Sequence, residues 1–443
     1  MTQAAGVVQR RSERLVLVAL LDGVRVGNVY QTASGTLRFL YLDEWRESQR
    51  AYPLSLSMPL TAREHRHDAI NAFLWGLLPD NARTLDHYGR LFSVSARNPV
   101  ALLSHIGADC AGAVQFASPD NARQLEGPAS RHGTIDWLSD DDIATELATV
   151  REHGIPGTSR RTVGQFSLAG AQPKMALLEE KGRWGRPSGR IPTNRILKPP
   201  SREFRGFAEN EHFCLELAAS LSLGSVASRV VTFGDEVAIV VERFDRAVSD
   251  GTWVRIHQED VCQALAVMPT LKYESEGGPG LPDVIALLRD ASTSPDDDLT
   301  RFLRATALNW VLAATDAHAK NYALLHSNRA VRLAPFYDIL SYLPYTDDRL
   351  HRVRLAMKVG SDYLVRRVTR RSWTAFAKRS RIADRVVMDN VTAVLELLPP
   401  AIDRVADRTI RGGLNADIIG RLADAIRQRV ARCMEIMNAP AAV

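Results

Sequence analysis

The fold is decided by the stretch ATDAHAKN, residues 314–321, together with FYD at residues 336–338. Asp316 and Asn321 stand five positions apart, and a second aspartate, Asp338, follows the asparagine by 17 positions. The stretch comes directly after a segment whose apolar positions recur with the period of a helix. One interpretation is structural, because Asp and Asn often cap and turn a chain where a helix ends.

The order of these three polar residues also favours phosphoryl transfer. In protein kinases the pattern D-x-x-x-x-N…D places one carboxylate beside the acceptor hydroxyl and two oxygen ligands on Mg²⁺. The spacing has a physical reason, because the reaction needs a carboxylate aimed at the nucleophile and hard oxygen ligands near the ATP phosphates. On this pattern alone the two interpretations are about equally good, so the neighbouring motifs decide between them.

Two upstream segments match the parts that hold ATP phosphates in kinases. Residues 196–198, Ile-Leu-Lys, are typical of a short strand ending in a lysine, and Glu209 or Glu211 on the next predicted helix can orient that lysine. The segment SLAGAQPK, residues 167–174, places small residues between two predicted strands, where backbone N–H groups can approach phosphates. A surface lysine at a strand end and a plain hairpin turn are the structural alternatives.

A further segment, VVERFDR at residues 240–246, passes from an apolar strand to polar residues. Such a segment suits an adenine-binding hinge, in which backbone groups meet the base edge and an aromatic side chain packs on its face. The alternative is a strand end with surface charges. The loop, the lysine, the hinge and the catalytic pattern occur in the order that kinases use, and that joint match is much less expected by chance than any single part.

Composition limits the class of protein. The 443 residues are 45% apolar and 24% charged, which is ordinary for globular proteins and enough for two or three domains. The longest apolar run, Leu15–Leu21, is far shorter than the roughly 20 residues of a membrane-spanning helix, and the first residues lack the pattern of a secretory signal. We therefore expect a cytoplasmic protein with no membrane association. The four cysteines lie far apart in sequence, which predicts reduced, mostly buried thiols.

The basic residues are nearly all arginines. The net charge of +5 and the pI of about 9.1 are a mild positive bias, compatible with acidic or nucleic-acid-associated partners. Only seven of the 56 basic residues are lysines, and four of these, at positions 174, 198, 272 and 320, fall in the motifs of this section. Lysine presents a compact ammonium and arginine a planar fork, so a lysine at these positions indicates that a compact ammonium is needed there. The densest basic stretch, 366–381, is better explained by a solvated helical face than by contact with DNA.

Three regions follow from the predicted elements. Residues 1–125 begin with short strands and continue with helical periodicity, which predicts a small α+β domain. Residues 126–250 combine strands with a capped helix beginning near Ser139, which predicts a mixed α/β lobe. From 251 to 443 nearly every segment has helical periodicity, which predicts an all-helical lobe. The stretch 117–133 is the best linker candidate, because it is rich in Pro, Gly, Ser and charge.

Periodicity also predicts the bounds of individual elements. The predicted strands include 15–21, 24–31, 36–42, 166–169, 175–178, 226–233 and 237–243. The predicted helices of the last region include 296–314, 372–381, 384–398 and 416–437.

The sequence as a whole resembles HipA-type toxin kinases, the serine/threonine kinase half of bacterial HipBA toxin–antitoxin pairs. The resemblance covers nearly the whole chain, and its motifs together are highly specific. They are LPDN at 78–81, IGADCAGA at 106–113, FSLAGAQPK at 166–174, ERFDR at 242–246, QEDVCQAL at 258–265, KYESEGGPG at 272–280, DAHAKN at 316–321 and YDILS at 337–341. The implied fold class is α+β. It is a two-lobed, phosphoinositide-kinase-like fold with a mixed α/β N-lobe, an all-helical C-lobe and an extra small N-terminal α+β domain.

The resemblance also implies roles for individual residues. Asp316 would be the catalytic residue, Asn321 and Asp338 the Mg²⁺ ligands, and Lys198 the phosphate-binding lysine. Ser167 would be the autophosphorylation site whose modification expels the covering loop, which agrees with the repulsion between added phosphate and the ATP phosphates. The implied nucleotide site consists of Ala169, Gly170, Ala171, Gln172, Pro173, Lys174, Lys198, Glu242, Arg243, Phe244, His318, Ala319, Lys320, Asn321, Tyr337 and Asp338.

The family resemblance implies ATP and Mg²⁺ as cofactors, and it implies partners. The substrates of such kinases are aminoacyl-tRNA synthetases, glutamyl-tRNA synthetase in the best-known case, and their phosphorylation stalls translation. The expected partner is a small helix-turn-helix HipB-type antitoxin, through which operator DNA would mainly be contacted. Two other functions stay open: a kinase of the same fold that acts on a small molecule, and a catalytically idle co-repressor that acts with a DNA-binding antitoxin.

Overall fold

The computed structural model describes residues 13–127, 133–154, 166–200, 204–327 and 330–439. Its first part is an antiparallel sheet whose five strands, in spatial order, are Glu64–His65, Leu37–Tyr41, Val24–Gln31, Arg14–Leu21 and Val114–Ala117. The helices that pack with this sheet are Asp43–Arg46, His67–Gly76, Ala82–Phe92 and Pro99–Ile106. Aromatic side chains such as Phe39, Phe73 and Phe116 are buried between sheet and helices, so this part has its own core.

A six-stranded antiparallel sheet forms the middle of the chain. Its strands, in spatial order, are Ser228–Phe233, Glu236–Glu242, Arg195–Lys198, Met175–Glu180, Arg183–Pro187 and Ile135–Leu138. The helices Asp140–His153 and Phe207–Ser220 pack against it. The first of these begins after Ser139, whose hydroxyl accepts from the Asp142 amide at 3.2 Å, as the sequence predicts.

The last part of the described chain is mostly helical. Its α-helices are Val261–Ala264, Leu281–Ala291, Pro295–Leu312, Arg370–Arg379, Asp384–Arg411 and Ala416–Asn438. The helix that begins at Asp384 runs beyond its predicted end, through Pro399 and Pro400, because Leu398, Ala401 and Ile402 are buried in the core on its inner face. Burial of an apolar stripe here outweighs the hydrogen bonds that the two prolines remove.

The expectation of an all-helical last region is wrong in one respect, since three small sheets lie there or at its border. Their strands are Arg246–Ser249 with Thr252–Arg255, His257–Asp260 with Ala323–Ser327 and Ala330–Leu333, and Arg354–Val359 with Asp362–Leu364. These strands are three to six residues long, and the pair 257–260 and 323–327 is distant in sequence. Short strands that pair over such a distance carry little local signal. The overall class, α+β with a two-lobed core and an added N-terminal domain, is as predicted.

Two further predictions have clear outcomes. The four cysteines are free, buried thiols, as predicted. The proposed linker 117–133 is partly packed, because Ala122 and Leu125 of the 3₁₀ turn Ala122–Leu125 are buried against the first sheet. Residues 128–132 of that stretch lie outside the described residues.

A buried ion network joins the first part of the chain to the end of the strand Glu236–Glu242. The Asp109 carboxylate accepts from Arg246 Nη2 at 2.8 Å and Arg255 Nη2 at 3.1 Å, and it lies 3.6 Å from Arg243 Nη1. Arg243 also binds Asp245 at 2.8 Å. Burial alone would raise the pKa of Asp109, but the three guanidinium groups outweigh it and hold the pKa below its ordinary value. The domain and the hinge are therefore fixed to each other at this point.

Within the described residues, the helices are all too short or too polar to cross a bilayer.

Candidate active site

One cavity of about 320 Å³ lies where the three parts of the chain meet. Fifteen of the predicted site residues line it: Ala169, Gly170, Ala171, Gln172, Lys174, Lys198, Glu242, Arg243, Phe244, Asp316, His318, Lys320, Asn321, Tyr337 and Asp338. Gly76 and Ala111 of the N-terminal domain also line it. Residues that are hundreds of positions apart in sequence therefore share one ligand-sized space.

Three predicted site residues lie outside this wall. Ser167 is buried, and its hydroxyl donates to the Leu77 carbonyl at 2.8 Å. Ala319 is fully buried in the helical core. Pro173 lines a small neighbouring crevice. These residues support the loops that form the cavity.

Lys198 stands at the centre of the charged part of the cavity. It ends the strand Arg195–Lys198, and its Nζ lies 2.7 Å from Glu211 Oε1 and also contacts Asp338 Oδ1. Burial alone would lower the pKa of Lys198, but the carboxylates of Asp338 and Glu211 outweigh it and raise the pKa above its ordinary value. The lysine is therefore a fixed positive charge, as binding of phosphate requires.

The helix Phe207–Ser220 supplies the partner of this lysine. Of the two glutamates offered by the sequence, Glu211 is 1% exposed and faces Lys198, whereas Glu209 is partly exposed. Burial raises the pKa of Glu211, and Lys198 opposes that rise. A lysine on a strand, oriented by a glutamate on the following helix, is the arrangement that holds ATP phosphates in protein kinases.

Asp338 and Asn321 supply the oxygen atoms that a magnesium ion prefers. Asp338 has the left-handed backbone conformation, with φ of 52°, at the turn after Tyr337. The Asn321 amide nitrogen donates to the Asp316 carbonyl at 2.6 Å, so its amide oxygen is the atom left for a cation. Among the residues that the structure describes, no three His, Cys, Asp or Glu side chains are grouped as a metal site. Two hard ligands completed by phosphate oxygens fit Mg²⁺, which seldom takes an all-protein cage.

Asp316 lies at the open side of the cavity, with a 65% exposed side chain. The Tyr273 hydroxyl donates to its Oδ1 at 2.5 Å, and His318 Nε2 lies 3.6 Å from the same oxygen. Burial lowers the pKa of His318 to about 4, so its ring is neutral near pH 7. The carboxylate is therefore accessible to an acceptor hydroxyl and held from one side.

The hinge segment places an aromatic pair at the opposite end of the cavity. Phe244 and Tyr337 stack with ring centroids 5.6 Å apart at an angle of 24°, and the Tyr337 hydroxyl donates to the Lys320 carbonyl at 2.8 Å. Arg243 also borders the cavity, but its guanidinium belongs to the buried network with Asp245 and Asp109. The Arg243 amide also donates to the Asn194 carbonyl at 3.1 Å, so the carbonyl oxygen, which can accept a second bond, is the backbone atom left for a ligand. The stacked rings suit a flat base.

The covering loop is held by the N-terminal domain, and the predicted strand 166–169 is wrong. Phe166 and Gly170 form isolated bridges with Asp109 and Pro79. The Asp80 amide donates to the Gly170 carbonyl at 3.1 Å, and the Ser167 amide donates to Asp109 at 3.0 Å. Because these bonds are made to another domain, the loop takes its shape from its neighbour and not from a local hairpin.

Sequence reasoning missed the role of Asp80. Its Oδ2 accepts from Lys272 Nζ at 2.8 Å, and its Oδ1 lies 3.9 Å from Lys320 Nζ. Lys320 also binds Asp260 Oδ2 at 3.1 Å. Burial opposes the charge on Asp80, but Lys320 and Lys272 outweigh that effect and lower its pKa. The rarity of lysine in this chain was the available signal for these pairs.

Several polar atoms in the wall lack a partner. Of the described side chains, Gln172 Nε2, Gln258 Oε1 and His318 Nδ1 are buried without a hydrogen bond, and all three residues line the cavity. Unsatisfied buried polar atoms cost about 1–3 kcal/mol each. Their concentration in one cavity is what a site for a polar ligand requires.

Comparison with known proteins places these features in a family context. Residues 17–117 match the family model described as the HipA N-terminal domain, and residues 166–402 match the HipA-like C-terminal domain. The Sinorhizobium fredii protein Y4mE is 32% identical over 94% of this chain and 97% of its own. The Shewanella oneidensis serine/threonine-protein kinase toxin HipA is 27% identical over 95% of this chain and 96% of its own.

A solved structure shares the fold. It is the Shewanella oneidensis HipA in complex with HipB and operator DNA, with a TM-score of 0.80 at 24% identity. The match covers 96% of this chain and 100% of the other.

Proposed function

The chain belongs to the HipA family, and from that premise we propose that it is an ATP- and Mg²⁺-dependent serine/threonine protein kinase and the toxin of a bacterial toxin–antitoxin pair. The observation that carries the proposal is the shared cavity. It holds the Lys198–Glu211–Asp338 cluster at one point and Asp316 with Asn321 at another, with the aromatic pair Phe244 and Tyr337 behind them.

The residues divide the work of phosphoryl transfer. Lys198 and the backbone of 169–174 would hold the ATP phosphates, and the stacked rings of Phe244 and Tyr337 would face the adenine. Asp316 would orient the acceptor hydroxyl and take its proton. A magnesium ion on Asn321 and Asp338 would neutralise charge on the phosphates. Rate acceleration would come mainly from position and charge, since the protein forms no covalent bond in this reaction.

We assign Ser167 as the autophosphorylation site. Its hydroxyl is buried and bound to Leu77, so modification requires that the loop leave the N-terminal domain. A phosphate on Ser167 would not fit back into that buried position, because two negative charges would have to lose their water. The modified loop would stay out, and the phosphate-binding wall would be lost.

The partners follow from the family. We propose a helix-turn-helix HipB-type antitoxin, with operator DNA bound mainly through it, because the Shewanella HipA structure contains HipB and operator DNA. The proposed substrate is an aminoacyl-tRNA synthetase, glutamyl-tRNA synthetase above all, whose phosphorylation would arrest translation and growth. Such a substrate and an operator-bound partner would place the protein's action in the cytoplasm.

The test is mass spectrometry of phosphate transfer. Purified wild type and Asp316→Asn are incubated with Mg²⁺-ATP and bacterial lysate, with Asp235→Asn in an exposed turn as the matched control. We expect phosphate on Ser167 and on one lysate protein with wild type and Asp235→Asn, and a fall of about 10²–10⁴-fold with Asp316→Asn. Label confined to the small-molecule fraction would favour a small-molecule kinase. No transfer at all, with operator binding and growth effects equal in Asp316→Asn, would favour the co-repressor.

A further inference from the structure

The catalytic aspartate stands on an exposed loop, yet one of its oxygens is already engaged. Tyr273 Oη donates to Asp316 Oδ1 at 2.5 Å. The aromatic ring of Tyr273 packs edge-on against His318, with centroids 4.9 Å apart at 82°. A phenol fixed by such a contact is a more rigid donor than a water molecule or a flexible side chain.

The segment that carries Tyr273 is anchored on both sides. Lys272 Nζ binds Asp80 Oδ2 of the N-terminal domain at 2.8 Å. Glu274 Oε2 accepts from the Lys358 amide at 2.7 Å, and its Oε1 lies 3.1 Å from Lys358 Nζ. With each neighbour held by a charged contact, the Tyr273 hydroxyl has little freedom to move away from Asp316.

The turn after Tyr273 depends on glycine. Gly277 has a φ of 92°, in the region that other residues rarely adopt. A Cβ on Gly278 would lie 1.8 Å from the Leu271 carbonyl oxygen, so the chain closes on itself there. The loop is therefore shaped by its own backbone as well as by its anchors.

We infer that Tyr273 is a positioning residue, which fixes the Asp316 carboxylate through Oδ1 and leaves Oδ2 for the acceptor hydroxyl. The inference rests on the proposed kinase function for its catalytic consequence. In the reaction, a bond forms between the acceptor oxygen and the γ-phosphorus while the bond to the β,γ-bridging oxygen breaks. ADP leaves with that electron pair, and the acceptor proton passes to Oδ2 of Asp316.

Without this hydrogen bond, the Asp316 side chain would also populate rotamers in which its carboxylate does not face the acceptor hydroxyl. Its side chain is 65% exposed, and among the described residues the contacts of its carboxylate are with the Tyr273 hydroxyl and, at 3.6 Å, with His318. A displacement of about 1 Å at a reacting group can cost about 100-fold in rate. Binding of ATP would be unaffected, because Tyr273 is not part of the wall of the cavity.

The test compares the wild-type chain with Tyr273→Phe, which keeps the ring and its packing on His318. The control is Tyr363→Phe, in the strand Asp362–Leu364, whose ring lies beside Arg354 and Lys358. The initial rate of phosphate transfer to the lysate protein is followed at varied ATP, because transfer to Ser167 first requires the loop to leave its buried position. ATP affinity is measured by calorimetry. We expect Tyr273→Phe to lower kcat by about 10- to 100-fold with the KM for ATP within about twofold. We expect Tyr363→Phe to match wild type.

Two kinetic results would overturn the inference. An unchanged kcat would mean that Asp316 needs no help from Tyr273. A raised kcat would mean that the tyrosine hydroxyl occupies the place of the acceptor and blocks it. A change in ATP affinity equal to the change in kcat would also overturn it, since the effect would then be a general disturbance of the cavity.

A crystallographic comparison separates this inference from the proposed function. We expect one Asp316 rotamer in wild type and Tyr363→Phe, and several in Tyr273→Phe. If wild type transfers no phosphate, the proposed function fails, and the rotamers still decide whether Tyr273 positions Asp316. A single, unchanged Asp316 rotamer in Tyr273→Phe would refute the positioning role whatever the activity.

Discussion

Lys198 Nζ and Glu211 Oε1 lie 2.7 Å apart as a buried ion pair that joins a strand of the second sheet to the helix beside it. Breaking such a pair by removing one partner leaves an uncompensated buried charge. Here Asp338 also contacts Lys198, so the lysine would keep a partner but lose its alignment.

We therefore predict that Glu211→Gln, which keeps the shape and removes the charge, lowers the rate of phosphate transfer by about 10- to 100-fold. Glu209→Gln on the same helix is the matched control, because this side chain is partly exposed. The measurement is the initial rate of transfer at saturating ATP. Equal rates for the two variants would show that the ion pair has no part in aligning Lys198.

The second prediction concerns the buried hydroxyl of Ser167. Ser167→Asp places a carboxylate against the Leu77 carbonyl, where the native hydroxyl donates at 2.8 Å. We expect the loop 166–174 to leave the N-terminal domain, with faster amide exchange and at least about tenfold weaker ATP binding. Ser167→Ala removes one hydrogen bond, worth about 1 kcal/mol, and keeps the loop in place.

Hydrogen exchange followed by mass spectrometry distinguishes the two serine variants. We also expect Ser167→Ala to carry no phosphate on this loop and to show no self-inactivation. Protection of 166–174 in Ser167→Asp equal to that in wild type would contradict the proposed switch.

The third prediction tests Asp80, the carboxylate that the N-terminal domain contributes to two lysines. Asp80→Ala leaves Lys272 without its partner at 2.8 Å, while Lys320 keeps Asp260 at 3.1 Å. Because these groups retain some contact with water, we expect the free energy of unfolding to fall by about 1–3 kcal/mol. Urea denaturation measures it, with Asp86→Ala on the exposed face of the next helix as control. Equal losses in both variants would mean that the pair contributes nothing.

The fourth prediction is a dependence of stability on pH through Asp109. The pKa of this carboxyl is held below its ordinary value of 3.8 by three arginines that outweigh the effect of burial. A group whose pKa is lower in the folded state stabilises the fold above its unfolded pKa, and that contribution is lost as pH falls through the folded pKa. We expect Asp109→Asn to have a lower free energy of unfolding than wild type at pH 7. The difference between the two free energies should become smaller below about pH 4.

Urea denaturation at pH 7 and pH 3 checks this, with Asp120→Asn on the surface as the control. If the difference in free energy of unfolding between wild type and Asp109→Asn is the same at pH 7 and pH 3, the charge of Asp109 does not stabilise the fold.

Local sequence patterns reveal much of this site, and the contacts that they miss span long distances. Lys198, the loop 316–321 and the segment 240–246 lie in short stretches whose candidate chemistry is visible in order along the chain. Helical periodicity favours Glu211 over Glu209 as the partner of Lys198, because Glu211 lies on the same helix face as the apolar residues Ala208, Leu215 and Ala218. By contrast, Asp80 meets Lys272 across 192 positions, and Tyr273 meets Asp316 across 43. No periodicity links such residues, since only the assembled fold brings them together.

The same limit explains the small sheets of the last region. The strand His257–Asp260 has the polar sequence of a helix start, and Asp260 does cap the short helix that follows. Its pairing with Ala323–Ser327 is what makes it a strand. Pairing with a strand that is distant in sequence therefore makes 257–260 a strand, although its local sequence favours the start of a helix.

The cavity draws its wall from both the N-terminal domain, through Gly76 and Ala111, and the kinase core. By thermodynamic linkage, a ligand that binds only when the N-terminal domain and the core are joined raises the free energy needed to separate them. Any ligand in this cavity therefore stabilises both parts. Heating the protein with saturating nucleotide should shift the melting of both parts together. Molecules that press the N-terminal domain away from the core, an inhibitory protein included, would compete with nucleotide without entering its site.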